Sequence, residues 1–438
     1  MENLILKQEF FGGILYNKKN KENLYLDNET YEILDMLDSK NLAYEENIKK
    51  IKEKTDIENV LEILRELVEN EIITLNVEKQ KQENIPENYL SAPFRVFYDI
   101  TYKCNLRCKH CFTNSGIKNK DELTLKEKIE LIEQLSDLGV EKISIAGGEP
   151  FASKDIYSFI KKCNEKDIDV SISTNGTYFD KDVIKKINLL KIKNITISFD
   201  GGTEESMDYI RGKGTYKKVI EGLDTLQKYY NKKYSIKTTL MKNNINEIEN
   251  LINIAIKYGC NMIKFNCVRE DGRAVLNRDN IILSQNEYIE TIKNIEKLRN
   301  KYQDKIKIRA PLNIFGCDDD YEFITELGFG CFAGKESICI DPIGNVKPCS
   351  HYPKEFICGN VKNDKLKDIW NNSLILKKFR ELKGNKVCNK CKEYEYCRGG
   401  CRYRCYMNGD INGVDPFCYL EYNKVEQSDV VALCSRQI

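Results

Sequence analysis

Cys104, Cys108 and Cys111 stand in the stretch KCNLRCKHCFTN, three thiols at spacings of four and then three. A zinc knuckle pairs its cysteines as Cys-x2-Cys twice, and a disulfide needs an oxidising compartment. Three soft ligands with no fourth match an iron–sulfur cluster with one iron left open. The chain holds 18 cysteines against two histidines, His110 and His351, which leaves little material for His-based zinc sites or Ser–His triads.

Twelve of the 18 cysteines lie between Cys317 and Cys434. CFAGKESICIDPIGNVKPC gives Cys331, then Gly344-x4-Cys349, and CNKCKEYEYCRGGC gives Cys388-x2-Cys391-x5-Cys397-x3-Cys401, with Cys418 further on. Weak periodicity here predicts a segment without a large apolar core, stapled by metal clusters. A zinc ribbon on Cys388, Cys391, Cys397 and Cys401 is the plainer alternative. Cys163, Cys260 and Cys267 read as small core residues.

From Phe94 to about Arg309, apolar runs RVFYDI, KISIA, DVSIS, NITISF, YSIKTTL and NMIKFN each precede a stretch of helical periodicity. Strands alternating with helices require a parallel sheet with right-handed crossovers, and such sheets bind ligands at the carboxyl ends of their strands. The three cysteines follow the first strand, GGEP (147–150) the second, TNGT (174–177) the third and DGG (200–202) the fourth. Four consecutive loops of Gly and short polar residues on one edge, one of them holding thiols, predict a shared cofactor site.

Before this lies a separate unit, residues 1–80, with paired strands in GGILYNKK and NLYLDN, helices near 29–39, 45–54 and 57–71, and a short strand IITLNV. The polar stretch 79–89 carries Pro86 and reads as a linker. Residues 1–90 hold 20 acidic and 12 basic side chains, net −8, against +9 for the remainder. With a total charge of +1 there is no nucleic-acid footprint, and no run of 18 apolar residues suggests a membrane span. The N-terminus lacks the basic start and apolar stretch of a secretory signal, so a cytoplasmic location is expected.

The thiol motif after the first strand, with GGEP after the second, resembles the radical S-adenosylmethionine (SAM) enzymes. The resemblance implies a partial (β/α)6 TIM-like barrel over 94–310, with a 4Fe–4S cluster on Cys104, Cys108 and Cys111 whose open iron chelates SAM. An electron from the cluster would then yield methionine and a 5′-deoxyadenosyl radical. Gly147 and Gly148 would let backbone approach the methionyl end, with Glu149 near its ammonium. Asn175, Ser198 and Asp200 would suit the ribose hydroxyls or the carboxylate, Arg211 could pair with that carboxylate, and His110 would line the adenine pocket.

The C-terminal pattern closely resembles the SPASM domain, here 311–438, which holds two auxiliary 4Fe–4S clusters and makes three in all. Carried over, one takes Cys388, Cys391, Cys397 and Cys418; the other takes Cys331, Cys349 and Cys401, with Cys317 chosen as its fourth ligand. Cys339, Cys358, Cys405 and Cys434 exceed the pattern, and Trp370 in LKDIWNN reads as packing. Residues 1–80, followed by a linker over 81–93, resemble the winged-helix-like modules that recognise leader peptides, which bind by adding a strand to a sheet edge.

The whole arrangement looks like the maturases that form sulfur-to-carbon thioether links in sactipeptides, including the subtilosin type. It implies a precursor peptide with a leader and an electron donor of flavodoxin or ferredoxin type as partners, with no nucleic acid or membrane. Three competitors stand beside this: a maturase joining carbons or oxidatively decarboxylating its peptide, an anaerobic sulfatase-maturing enzyme, and a non-catalytic iron–sulfur electron-transfer protein. No acid stands out as a general base.

Overall fold

The computed structural model describes residues 4–17, 22–37, 49, 51–53, 62–63, 65, 77–80, 86, 89–309, 330–383, 386–391 and 394–418. The chain divides into two compact units, Met1–Ser91 and Ala92–Ile438.

The first unit holds strands β1 (Leu4–Glu9), β2 (Gly12–Asn17), β3 (Glu22–Leu26) and β4 (Val77–Gln80) in the order β3-β2-β1-β4. The hairpin expected from GGILYNKK and NLYLDN is the antiparallel β2–β3 pair, with Gly13 opposite Leu26. Gly12 has φ +133°, and a Cβ there would meet the Leu26 carbonyl oxygen at 2.3 Å, so the turn between β1 and β2 requires glycine. Helix α1 (Asn28–Met36) starts on Asp27, whose carboxylate accepts from the Thr30 N–H at 2.8 Å. It buries Tyr31, Ile33 and Leu34 against Leu4, Leu6 and Leu15. The helices expected near 45–54 and 57–71, and IITLNV before Val77, lie largely outside the described residues. Strand β4 begins at Val77 and pairs parallel with β1, so the polar stretch read as linker from residue 79 starts inside a strand.

In the second unit β5 (Arg95–Asp99), β6 (Lys142–Ala146), β7 (Asp169–Thr174), β8 (Asn194–Ser198), β9 (Tyr234–Leu240) and β10 (Met262–Cys267) pair in sequence order, all parallel. The helices between them are α2 (Leu125–Leu138), α3 (Ile156–Glu165), α4 (Lys181–Asn188), α5 (Glu204–Arg211), α6 (Thr215–Tyr229) and α7 (Ile248–Lys257). A capping box of Thr124 and Glu127 opens α2, and Gly139 at φ 84° closes it. Covered by helices, the strands read as nearly continuous Ile and Val, and Ile172, Ile195, Ile197 and Ile236 are buried.

The sheet does not stop at six strands. β11 (Lys307–Arg309) extends it beyond β10, while β12 (Ser337–Ile340) pairs parallel with β5 on the other side. β13 (Asn345–Lys347) and β14 (Gly359–Asn360) follow antiparallel, giving ten strands in all. Strands of the cysteine-rich segment are thus hydrogen-bonded into the barrel sheet. That segment also has a small aromatic core, not clusters alone: Tyr352, Phe379 and Tyr403 are buried, with Cys331, Cys349 and Cys401 packed against them. Trp370 is buried with the Arg380 guanidinium 4.5 Å from its ring centroid. Among the described residues no helix is long and apolar enough to cross a membrane.

Candidate cofactor site

The loop after β5 carries Cys104, Cys108 and Cys111, and its shape is fixed by its own backbone. The Cys104 N–H donates to the Gly116 carbonyl at 3.0 Å and the Gly116 N–H to Tyr102 at 2.8 Å, folding the loop back on itself. Arg107 Nη1 donates to the Ser115 carbonyl at 2.9 Å. Glu122 is buried beneath: its oxygens accept from Thr101 Oγ1 at 2.8 Å, Tyr102 N at 2.8 Å and Asn119 N at 3.1 Å. Nothing in the sequence around Glu122 signals this role; it looks like one more acid before a helix.

GGEP locks against this loop. A Cβ on Gly147 would meet the Thr101 carbonyl oxygen at 2.6 Å, and one on Gly148 the Lys103 carbonyl oxygen at 2.3 Å. The Gly148 and Glu149 N–H groups donate to those same carbonyls at 2.7 and 2.8 Å. Both glycines therefore admit the backbone of the cysteine loop. Glu149 is fully buried, and its carboxylate accepts from Phe151 N, Thr174 Oγ1 and Asn175 N at 3.1, 2.7 and 2.7 Å. Burial raises its pKa to about 7, with those donors pulling the other way.

Asn175 joins the third loop to the first, its Nδ2 donating to Asn105 Oδ1 at 2.8 Å and lying 4.0 Å from Cys104 Sγ. Ser198 closes β8, half-buried. Asp200 is fully buried: Arg211 Nε donates to Oδ2 at 2.8 Å and the Thr239 N–H to Oδ1 at 2.7 Å. Arg211 Nη1 is also 3.8 Å from Cys108 Sγ. His110 Nε2 sits 3.3 Å from Asp200 Oδ2, and burial drops its pKa to about 4, leaving the ring neutral. Its Nδ1 is buried without a protein partner.

The three thiols share one neighbourhood. Burial pushes Cys108 up to about 11; Arg211 opposes this, while Asp200, Cys111 and Cys104 add like-charge repulsion. Cys104 is likewise raised by burial, with Glu149 and Cys111 contributing. All three are unbridged. A cationic iron centre would offset the repulsion these neighbouring sulfurs meet on losing their protons, so the donor set fits such a cluster.

A second thiol group forms in the C-terminal segment from Cys331, Cys349 and Cys401. Burial raises Cys331, and repulsion from Cys401 and Cys349 adds to it. Burial also acts on Cys401, but Arg269 and Arg404 outweigh it and hold that thiol below its usual value. Asp415, buried, organises the loop: it accepts from Cys401 N at 2.8 Å and from Arg404 Nε at 2.7 Å. Near it Cys397 is pushed up to about 12 by burial and by the nearby Cys418. Cys388 and Cys391 bracket a single 3-10 turn, with Cys391 N donating to Cys388 O at 2.9 Å. Cys317 and Cys434 lie outside the described residues. Among the described residues no group of His, Cys, Asp or Glu side chains is arranged to hold a single metal ion.

Between the two groups opens a cavity of about 400 Å³. Phe112 and Thr113, next to Cys111, form one wall; Ser350 and His351, next to Cys349, form another. Asp99 and Cys339 line it from β5 and β12. Cys339 is opposite Phe97 in the parallel register, so Asp99 and Asp341, each two residues on, share that face. Burial lifts the Asp99 pKa to about 7, with Lys347 opposing and Asp341 adding.

Residues 98–255 match the Radical SAM superfamily and residues 331–399 match the SPASM iron–sulfur cluster-binding domain. The chain is a radical SAM protein with a SPASM domain. Radical SAM domains take a 4Fe–4S cluster and SAM, and the SPASM domain takes auxiliary iron–sulfur clusters. Among curated relatives, the mycofactocin maturase MftC of Mycolicibacterium smegmatis is 26% identical over 76% of this chain and 84% of its own length. The AdoMet-dependent heme synthase of Methanosarcina barkeri is 25% identical over 75% of this chain and 97% of its own. The antilisterial bacteriocin subtilosin biosynthesis protein AlbA of Bacillus subtilis is 26% identical over 74% and 69%. In fold, the chain is similar to Streptococcus suis SuiB crystallised with its precursor peptide SuiA, with a TM-score of 0.71 at 19% identity over 96% of this chain and 99% of that one.

Proposed function

We propose that this radical SAM/SPASM protein is a cytoplasmic maturase of a ribosomally synthesised peptide and installs thioether links from cysteine sulfur to carbon. The observation that carries the reading is the cavity between the two thiol groups, walled by neighbours of Cys111 on one side and of Cys349 on the other. A peptide residue held there would lie close to both. In this reading Cys104, Cys108 and Cys111 hold the first cluster; Cys331, Cys349 and Cys401 hold one auxiliary cluster, and Cys388, Cys391, Cys397 and Cys418 the other. Cys317 remains the candidate for the missing fourth ligand.

Held by Cys104, Cys108 and Cys111, the cluster with SAM would supply a hydrogen-abstracting radical. The rest is the work of side chains. Glu122 and the GGEP glycines hold the thiol loop in register, Asn175 ties the third loop to it, and the Asp200–Arg211 pair closes the floor. Gly147, Gly148, Glu149, Asn175, Ser198, Asp200 and Arg211 act chiefly by shaping the SAM pocket. Phe112, His351 and Tyr403 wall the peptide site, where fixed orientation selects one C–H bond over its neighbours. In the first unit β3 is a sheet edge among the described residues, suited to pairing with an extended leader segment.

The similarity to AlbA, a subtilosin biosynthesis protein, supports sulfur as the attacking atom. The similarity to a mycofactocin maturase and to a heme synthase favours a second reading, a carbon–carbon link or an oxidative decarboxylation using the same residues. Anaerobic co-expression with a candidate precursor peptide separates them by mass spectrometry. Thioether formation lowers the peptide by about 2 Da per donor cysteine and removes that thiol from alkylation. The same loss with every cysteine still alkylated gives the carbon–carbon link, and a larger loss that includes carbon dioxide gives the oxidative decarboxylation.

A further inference from the structure

The thiol loop carries more than its cysteines. Residues 103–120 hold five basic side chains, Lys103, Arg107, Lys109, Lys118 and Lys120, and no acidic one, in a chain otherwise balanced at 69 basic to 68 acidic. Lys103, Arg107, Lys118 and Lys120 are exposed. The fold brings the two ends of the loop together: a parallel bridge sets Lys103 beside Gly116, next to Ile117 and Lys118 in the chain, and Arg107 is tied to Ser115. Ile117 projects among them, 80% exposed. The nearest acids in sequence follow at Asp121, exposed, and Glu122, whose carboxylate is buried and taken up by loop donors. Lys109 is set apart, its Nζ over the Tyr209 ring at 3.1 Å.

This basic face belongs to the very loop that carries Cys104, Cys108 and Cys111, and Cys104 and Cys111 are only half-buried. The cavity assigned to the peptide is lined instead by acids, Asp99, Glu270, Asp271 and Asp341, with one Lys, Lys347. The two surfaces carry opposite signs and suit different partners. We propose that Lys103, Arg107, Lys118 and Lys120, with Ile117 as the apolar contact, form the docking surface for a small protein that presents an acidic face around a one-electron redox centre.

The inference rests on the assignment of the three thiols to the first cluster. Complementary charge raises the encounter rate, and one protruding apolar residue on a small charged face gives the weak, short-lived complexes that electron carriers form. With a flavodoxin as carrier, the anionic flavin hydroquinone gives one electron to the cluster and becomes the neutral semiquinone, and no proton is released.

The test uses the full-length, iron-loaded protein and an acidic flavodoxin reduced to its hydroquinone. Stopped-flow absorbance follows semiquinone formation, and a titration with oxidised flavodoxin gives the binding constant without turnover. At low ionic strength Lys103→Glu/Lys118→Glu/Lys120→Glu is expected to be reduced about 10–100-fold more slowly and to bind more weakly. That gap is expected to close near 1 M salt, where the Debye length falls to about 3 Å. Lys118→Arg/Lys120→Arg should match the parent. Photoreduced deazariboflavin, which needs no docking face, should reduce parent and charge-reversed protein equally. The proposal is overturned if flavodoxin reduces the reversed variant as fast as the parent. It is also overturned if both reductants slow together, since the lysines would then serve the cluster itself, or if a fluorescent precursor peptide loses affinity instead. Failure of deazariboflavin to reduce any cluster in the parent would strike at the ligand assignment, a separate result.

Discussion

Arg211 meets Asp200 through two nitrogens, Nε at 2.8 Å and Nη2 at 2.5 Å, both on the same carboxylate oxygen, and both side chains are buried. The Arg211 pKa is raised: burial works against the charge, and Asp200 followed by Cys108 more than restores it. Removing one partner strands the other charge, a loss of about 3–5 kcal/mol for buried pairs. Arg211→Ala should therefore lower the unfolding free energy of the iron-free protein, measured by urea denaturation, by that amount. Arg211→Lys keeps the charge without the fork and should fall between.

Glu122 stands under the thiol loop with three donors on its two oxygens. Glu122→Gln replaces one acceptor with an NH2 facing a donor, costing about 1–3 kcal/mol. The expected phenotype is local. Iron analysis and electron paramagnetic resonance should show the first cluster depleted while the auxiliary signals persist.

Asp415 gives the mirror experiment. It holds Cys401 N and both Nε and Nη2 of Arg404, and it packs on Gly400, where a Cβ would meet Asp415 Oδ2 at 2.6 Å. Asp415→Ala strands Arg404 and loosens Cys401. The auxiliary signals should weaken while the first cluster, still able to bind SAM, is retained. Crossed losses in the two variants would show the groups are held independently.

Asp99 predicts a pH dependence. Unfolded, its carboxyl titrates near the usual 3.8; folded, burial raises it to about 7. Between those values the folded chain holds a proton the unfolded chain has released, so stability falls as pH rises through that window. Asp99→Asn removes the effect. The variant should gain stability relative to the parent as pH rises from 5 to 8, by no more than about 3 kcal/mol. A difference that stays flat across that range would remove Asp99 from the account.

Much of this was legible in the residues. Cysteine spacing marked both thiol groups, and the alternation of Ile- and Val-rich runs with helical stretches marked the parallel sheet from β5 to β10. Local pattern ends where long-range contact begins. Gly147 and Gly148 signal close approach but not by what, and the structure fills that space with the carbonyls of Thr101 and Lys103. Asp200 and Arg211 read as separate polar groups because their meeting depends on where α5 packs. Glu122, Asp415 and Asp99 carry no local mark, since their roles come from burial. The pairing of β12 with β5 joins short runs far apart, and nothing in SICI names its neighbour.

That last pairing has a consequence for how the molecule is made. β5 lies between β6 and β12, and β12 is about 240 residues downstream. At translation rates of about 5–20 residues per second, the outer edge of β5 waits roughly 12–50 s for its partner to be synthesised. Throughout that wait a row of unpaired amides and carbonyls borders Val96 and Tyr98, the kind of edge that recruits another chain. The newborn barrel is thus most exposed to mispairing before its last third exists, and slowing the ribosome between codons 100 and 340 should cost soluble yield even though the finished protein is unchanged.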